Sequence, residues 1–294
     1  SNAGQIARRQ PLSGLQVASR RQRHHPNLPR ATRIFERFYM LLAIDIGNTN
    51  VTIGAFDGDT LKATFRLTTD TKRMPDEYAL AVSQLLPMRG VSSKSVTAIA
   101  LCSVVPPLTP SFVQLCEDYF DITPLEIGAG TKTGIRVKYD SPRDVGADRI
   151  VDAAAALSLY GGPAVIVDIG TATVFDAVTD NGDYLGGAIA PGIQIAADSL
   201  FHTTAQLRRV ELTAPATAIG KNTVHALQSG LVLGYAELVK GMIRRFDEEL
   251  GGNAKIIATG GLAGVVVDEV GMFDAVDPNL TLTGLRLIHE INSG

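Results

Sequence analysis

Apolar and polar positions alternate along this chain in a pattern that predicts short buried strands, Gly- and Asp-rich turns, and intervening helices. The apolar run 41–45 ends in Asp45, passes through Gly47-Asn48-Thr49-Asn50, and resumes as a strand-like run over 51–56. Asp57-Gly58-Asp59 reads as a hairpin turn, because Asp-Gly tolerates the positive φ of tight primed turns. A third strand is expected over 61–67. A helix is expected over 75–86, with Pro75 in its first turn and Asp76 and Glu77 facing its dipole. A buried strand at 96–104 and a helix at 109–119 complete a βββαβα unit.

A similar order returns later. Strands are expected at 163–168, ending in Asp168, at 173–178, and after an Asn181-Gly182 turn at 184–189. Helices follow at 191–201 and 222–250, then a strand at 255–258. The stretch 222–250 carries Ala226, Gly230, Gly234 and Ala236, small residues that suit close helix packing. An Ala-rich helix at 150–159 precedes Gly161-Gly162-Pro163, which punctuates the chain and places a boundary near 157–162. The expected division is therefore a leader at 1–39, a first lobe at 40–160 and a second at 161–294.

The two units share a near-repeat. Ala43-Ile44-Asp45-Ile46-Gly47-Asn48-Thr49-Asn50 is answered by Ile166-Val167-Asp168-Ile169-Gly170-Thr171-Ala172-Thr173. A carboxylate and a Gly-polar turn at a strand tip make a loop that can hold phosphate or metal. Glycine lets backbone N–H groups approach an anion, and the hydroxyls and amide add donors. Two such loops predict a duplicated fold with a ligand cleft between them.

Composition narrows the classes. At 294 residues with 45% hydrophobic and 19% charged residues, the chain has material for two ordinary cores. No apolar stretch reaches the roughly 18 residues of a membrane-spanning helix, so no membrane partner is expected. Cys102 and Cys116 have neither metal-ligand nor CxxC spacing, which points to a reducing compartment, the cytoplasm. Eight of the 27 basic residues but only Glu36 of the 30 acidic ones lie in 1–39. The remainder is acidic, and nucleic acid is not an expected partner, since its binding is driven by Lys and Arg. Ser1-Asn2-Ala3 looks like the remnant of a removed tag. Residues 4–39 are open to reading as a transit-like or nucleic-acid-binding arm, but are expected to be a dispensable extension ahead of Met40.

Several chemistries are excluded by motif. Gly220-Lys221-Asn222-Thr223 resembles the tail of a Walker A loop, yet Pro215 stands where its first Gly is required. There is no GxGxxG after a strand, no GxSxG and no HExxH. Asp148, within Asp144-Val145-Gly146-Ala147-Asp148-Arg149, reads alone as either a helix cap or a functional carboxylate. Arg149 directly after it offers a base and a cation at one place. Thr259-Gly260-Gly261 after a strand permits close backbone approach.

From Met40 onward the chain resembles the type III pantothenate kinases, of the superfamily of acetate kinase, sugar kinases, heat-shock ATPases and actin. The matching segments are Asp45-Ile46-Gly47-Asn48-Thr49-Asn50, Gly146-Ala147-Asp148-Arg149, Asp168-Ile169-Gly170-Thr171-Ala172, Gly220-Lys221-Asn222-Thr223 and Ala258-Thr259-Gly260-Gly261. The resemblance implies a duplicated ribonuclease H-like (actin-like ATPase) α/β fold, two βββαβα-type lobes around a cleft. It implies ATP-dependent phosphorylation of pantothenate to 4′-phosphopantothenate, the first step of coenzyme A biosynthesis, by a homodimer with substrate sites near its interface. By the same resemblance Asp45, Ile46, Gly47, Asn48, Thr49, Asn50, Val51 and Thr52 form the loop for ATP and its Mg2+, and Thr171 is a further ATP contact. Asp148 is the implied general base, and Tyr139, Gly146, Ala147, Asp148, Arg149 and Thr223 the implied pantothenate contacts. Asp168 is the implied ligand of a monovalent cation, K+ or NH4+. Two departures stand out: Val174 where a Thr is common, and Arg208-Arg209 where a Pro is expected after Gln206-Leu207. A nucleotide-binding regulatory or accessory protein on the same fold is the alternative, though it would not need the Asp148-Arg149 pair.

Overall fold

A computed structural model describes residues 40–204 and 207–293; the leader at 1–39 and Ala205-Gln206 lie outside the described residues. Strands β1 (Met40–Ile46), β2 (Asn50–Asp57) and β3 (Thr60–Thr68) form an antiparallel meander. The β2–β3 turn is Gly58-Asp59, with Gly58 at φ 56°, as a primed hairpin turn demands. Helix α1 (Pro75–Met88) leads to β4 (Val96–Ser103), which returns parallel to β1. Helix α2 (Thr109–Phe120) and the short β5 (Leu125–Glu126) finish this sheet, ordered β3-β2-β1-β4-β5.

After β6 (Arg136–Val137) and α3 (Ala147–Tyr160) the plan repeats. Strands β7 (Ala164–Ile169), β8 (Ala172–Val178) and β9 (Asp183–Pro191) form the second meander. Helix α4 (Ile193–Thr203) follows, then α5 (Thr223–Gln228), a π turn at Ser229–Leu233 and α6 (Gly234–Glu249). Strand β10 (Lys255–Thr259) lies parallel to β7, followed by α7 (Ala263–Val270), β11 (Ala275–Val276) and α8 (Leu280–Ser293). The second sheet runs β11-β10-β7-β8-β9-β6. Without β6 its order and strand directions are those of the first sheet, so the fold is the duplicated ribonuclease H-like arrangement.

Packing explains the Ala-rich helix. Residues Ile150 to Ala156 of α3 are buried all round. Val151 and Ala154 meet Leu41, Ala43 and Ala100 of the first sheet. Ile150, Ala153 and Ala156 meet Ala164, Ile166 and Val178 of the second. This stretch, held between two sheets, has no solvent face, and its small side chains let both sheets approach. Its outer faces are covered separately, the first sheet by Tyr78, Val82, Phe112 and Leu115 of α1 and α2, the second by α4, α6 and α7.

The structure also adds elements. The expected helix at 222–250 is two α segments joined by the π turn, whose Gly230 and adjoining Gly234 are weak helix formers. β5, β6, β11, α7 and α8 carry no separate expectation. Helix α8, last in sequence, returns to the first sheet through Leu282, Leu285 and Ile288. There Gly284 touches the α3 backbone: a Cβ on it would strike the carbonyl of Val151.

Candidate active site

The carboxyl ends of β1 and β7 meet at the amino end of α3. In the first loop the Gly47 N–H donates to the Asn50 carbonyl over 3.0 Å, and Thr69 Oγ1 donates to the Gly47 carbonyl over 2.6 Å. In the second, the Gly170 N–H donates to the Ala172 carbonyl over 3.0 Å. The loops touch: Thr49 Oγ1 and Thr171 Oγ1 lie 2.6 Å apart. Asn48, Thr49, Asn50 and Thr171 are exposed, free to meet a ligand. Ile46 and Val51 are fully buried in the first core, so only their backbones can reach one.

Three carboxylates converge beneath these loops. Asp45 is cross-strand from Thr52 and beside Cys102, whose thiol donates to Asp45 Oδ1 over 3.4 Å. Asp148 sits in the first turn of α3, one place past Ala147, and accepts the Arg149 N–H over 2.8 Å. The capping position belongs to Gly146, which leaves Asp148 free for other work. Burial raises Asp148 above the ordinary carboxylate range, against the pull of Arg149. Burial, with the field of Asp148, pushes Asp45 and Asp168 up to about 7.

Two acids escape the sequence reading. Asp152, one turn beyond Asp148, is buried, and its Oδ1 has no hydrogen-bond partner among the described residues. Burial and Asp168 hold its carboxyl well above the usual range. The Asp148-x-x-x-Asp152 spacing, which puts both on one helix face, was the available signal. Asp176 is buried on β8, where Arg149 donates to its Oδ1 from Nε (3.0 Å) and Nη2 (2.6 Å), and Tyr184 Oη donates over 2.6 Å. A charge inside the apolar run 173–178 was its signal, since buried charges are found paired.

The remaining expected residues fall in two places. Tyr139 lies with its ring edge 3.2 Å from the Cβ position of Gly186 on β9, beside Arg149 and Tyr184. Thr223 is exposed at the start of α5, where Asn222 Oδ1 caps the His225 N–H. Gly260, at φ 93°, brings the turn after β10 against Asp168 Oδ1 and the Ile169 carbonyl, space that any side chain would fill. Of the two departures, Val174 is cross-strand from Asp168, while the neighbouring Thr173 hydrogen-bonds Tyr235 of α6. Arg209 pairs with Asp198 of α4 at 3.7 Å and stacks on Phe201.

The donor set is all oxygen at its reactive points, which fits a hard cation rather than a thiolate-loving one. Among the described residues no group of three or more His, Cys, Asp or Glu can hold a metal by itself.

The protonation of this cluster has a measurable consequence. Asp45 holds its proton to about 7 when folded, against about 3.9 in an unfolded chain. The folded state therefore binds more protons between those values, and its stability is present below them and lost as pH rises through about 7. Melting of the ligand-free protein is expected to shift to lower temperature between about pH 4 and 7. Asp45→Asn should flatten that slope in calorimetry; an unchanged slope would remove Asp45 as its source.

The chain matches the type III pantothenate kinase family over residues 41–245. A type III pantothenate kinase of Moorella thermoacetica is 50% identical over 254 residues, spanning 86% of this chain and 100% of that protein. One of Roseiflexus castenholzii is 49% identical over 253 residues, spanning 86% and 99%. Among solved structures, a putative Baf family transcriptional activator from Campylobacter jejuni superposes with a TM-score of 0.55 at 22% identity, covering 86% of this chain and 98% of that one. Component A of the (R)-2-hydroxyglutaryl-CoA dehydratase of Acidaminococcus fermentans gives a TM-score of 0.51 at 12% identity, over 86% and 99%. These structures speak for the fold alone. With half its residues shared along almost the full length of such relatives, the chain belongs to the type III pantothenate kinase family.

Proposed function

We propose that this protein transfers the γ-phosphoryl group of ATP to the primary hydroxyl of pantothenate, giving 4′-phosphopantothenate and ADP. The observation that carries the reading is the 2.6 Å contact of the two threonine loops directly over the carboxylates, with Asp148 at the head of α3. In this reading the backbone N–H groups and hydroxyls of residues 45–52 and Thr171 hold the polyphosphate. Asp148 takes the hydroxyl proton as the new O–P bond forms and the bond from Pγ to the ADP oxygen breaks. A raised carboxylate suits that role better than an ordinary one, because a base works best with a pKa near the operating pH. Arg149 and Tyr139, with Gly146 and Ala147, receive pantothenate, whose carboxylate complements the guanidinium.

Phosphoryl transfer asks for positioning and charge neutralisation more than covalent chemistry. Mg2+ near Asp45 and a monovalent cation near Asp168 supply positive charge to the phosphates when bound. The exposed Thr223 at the start of α5 suits a residue that completes the site of a second copy, so the working unit is proposed to be a homodimer. The acidic body argues against nucleic acid as a partner. Among the described residues no helix is long and apolar enough to cross a membrane, and the proposed location is the cytoplasm.

The test is turnover of the purified full chain with pantothenate, ATP and Mg2+, in K+ and in Na+, followed by phosphorus NMR. Formation of the phosphomonoester, faster in K+, is expected. ATP hydrolysis that ignores pantothenate would sink the reading in favour of a nucleotide-driven accessory protein.

A further inference from the structure

Arg66 has no part in the site as described so far. Across the first sheet, Cys102, Asp45, Thr52 and Arg66 are register partners on β4, β1, β2 and β3. Directly paired residues point to the same face, and here that face is the one α3 covers, at its open end. Arg66 is exposed, and its Nη1 reaches to 3.5 Å from the Cβ position of Gly261. It therefore leans from the edge of the phosphate-loop hairpin over the turn after β10 in the second sheet. The adjacent Gly260 abuts Asp168, and Thr171 touches Thr49, so the two loops, this turn and Arg66 ring one space. Other arginines near acids are tied, Arg149 to Asp176, Arg136 to Asp183 and Arg286 to Asp59 and Glu290. Arg66 makes no hydrogen bond or ion pair with the described residues.

We propose that Arg66 contacts the polyphosphate of the nucleotide, closing over the β- and γ-phosphates between residues 47–52 and the turn at 260–261. The guanidinium fork matches pairs of phosphate oxygens, and it brings the side-chain cation that a Walker lysine brings to other folds. Charge builds on the ADP oxygens as the bond to Pγ breaks, and a fixed cation there lowers the barrier. The proposal rests on residues 45–52 being the phosphate loop.

The test uses the full chain with Arg66→Ala, Arg66→Lys and, separately, Asn48→Ala. Arg66→Ala is expected to lower kcat/KM for ATP by about 100-fold, with pantothenate KM moved by less than about threefold. Inhibition by a non-hydrolysable ATP analogue should weaken about tenfold while inhibition by AMP is unchanged. Added guanidinium should restore part of the rate, and Arg66→Lys should fall between. The exposed side chain leaves the melting temperature where it was. An Arg66→Ala enzyme within about threefold of the parent toward ATP overturns the proposal. Equal weakening of AMP and the ATP analogue also overturns it, since that would place Arg66 on the nucleoside. If Asn48→Ala loses ATP affinity and Arg66→Ala does not, the arginine alone is excluded; silence in both excludes the phosphate-loop reading with it.

Discussion

Asp148→Asn is expected to lower kcat by about 10²–10⁴ while moving the affinity for ATP only a few fold. The substitution keeps the shape of the side chain and an oxygen that can accept the Arg149 N–H, which lies 2.8 Å from Oδ1 in the parent. It removes only the ability to take a proton. A loss confined to kcat marks an interaction made in the transition state rather than in the ground state. The pH profile supplies a second reading of the same group. Burial raises Asp148, so the acid limb of kcat should lie above the usual Asp range and vanish in the variant. Turnover like that of the parent, or an acid limb unmoved by the change, would take Asp148 out of the proton-transfer step.

The carboxylate proposed as base could be picked out by resemblance in the sequence because its context is local. Gly146 and Ala147 start α3, and Asp148 and Arg149 follow in one turn, so four consecutive residues carry the pattern. The same holds for the two Asp-Ile-Gly loops, each a strand end and a turn, and for the hairpin at Gly58. What was not legible depends on residues far apart. Asp176 is an isolated acid in an apolar strand until Arg149 and Tyr184 are brought to it by α3 and β9. Asp152 looks like the polar face of an Ala-rich helix, yet residues 150–156 have no polar face, because sheets cover them on both sides. Arg66 reads as an ordinary solvent position on an alternating strand, and only the apposition of the second sheet gives it a neighbour in Gly261. Helix α8 closes the first core from the far end of the chain, a contact no local period encodes.

The arginine–aspartate pair carries the second large effect, and it separates stability from recognition. Arg149→Met should abolish measurable saturation by pantothenate, since the cation proposed to face its carboxylate is gone. It also leaves the Asp176 carboxylate, 4% exposed, with Tyr184 as its remaining hydrogen-bond donor among the three. Stranding one partner of a buried pair costs about 3–5 kcal/mol, so the variant should melt well below the parent. Asp176→Asn is the gentler probe. It keeps an acceptor for Arg149 Nε and for Tyr184 but removes the charge that holds the guanidinium in place. Pantothenate KM is expected to rise by roughly tenfold or more with a smaller change in kcat, because orientation of the ground state is what was lost. The combination Arg149→Met with Asp176→Leu then tells the two roles apart. Replacing both members of a buried ion pair by apolar groups is often neutral or stabilising, so the melting temperature should recover. Pantothenate binding should not. Were the double variant to regain both, the pair would be a packing device and pantothenate would be held elsewhere; were it to regain neither, the Tyr184 hydroxyl left behind would be the costly group, which Tyr184→Phe on the same background would relieve.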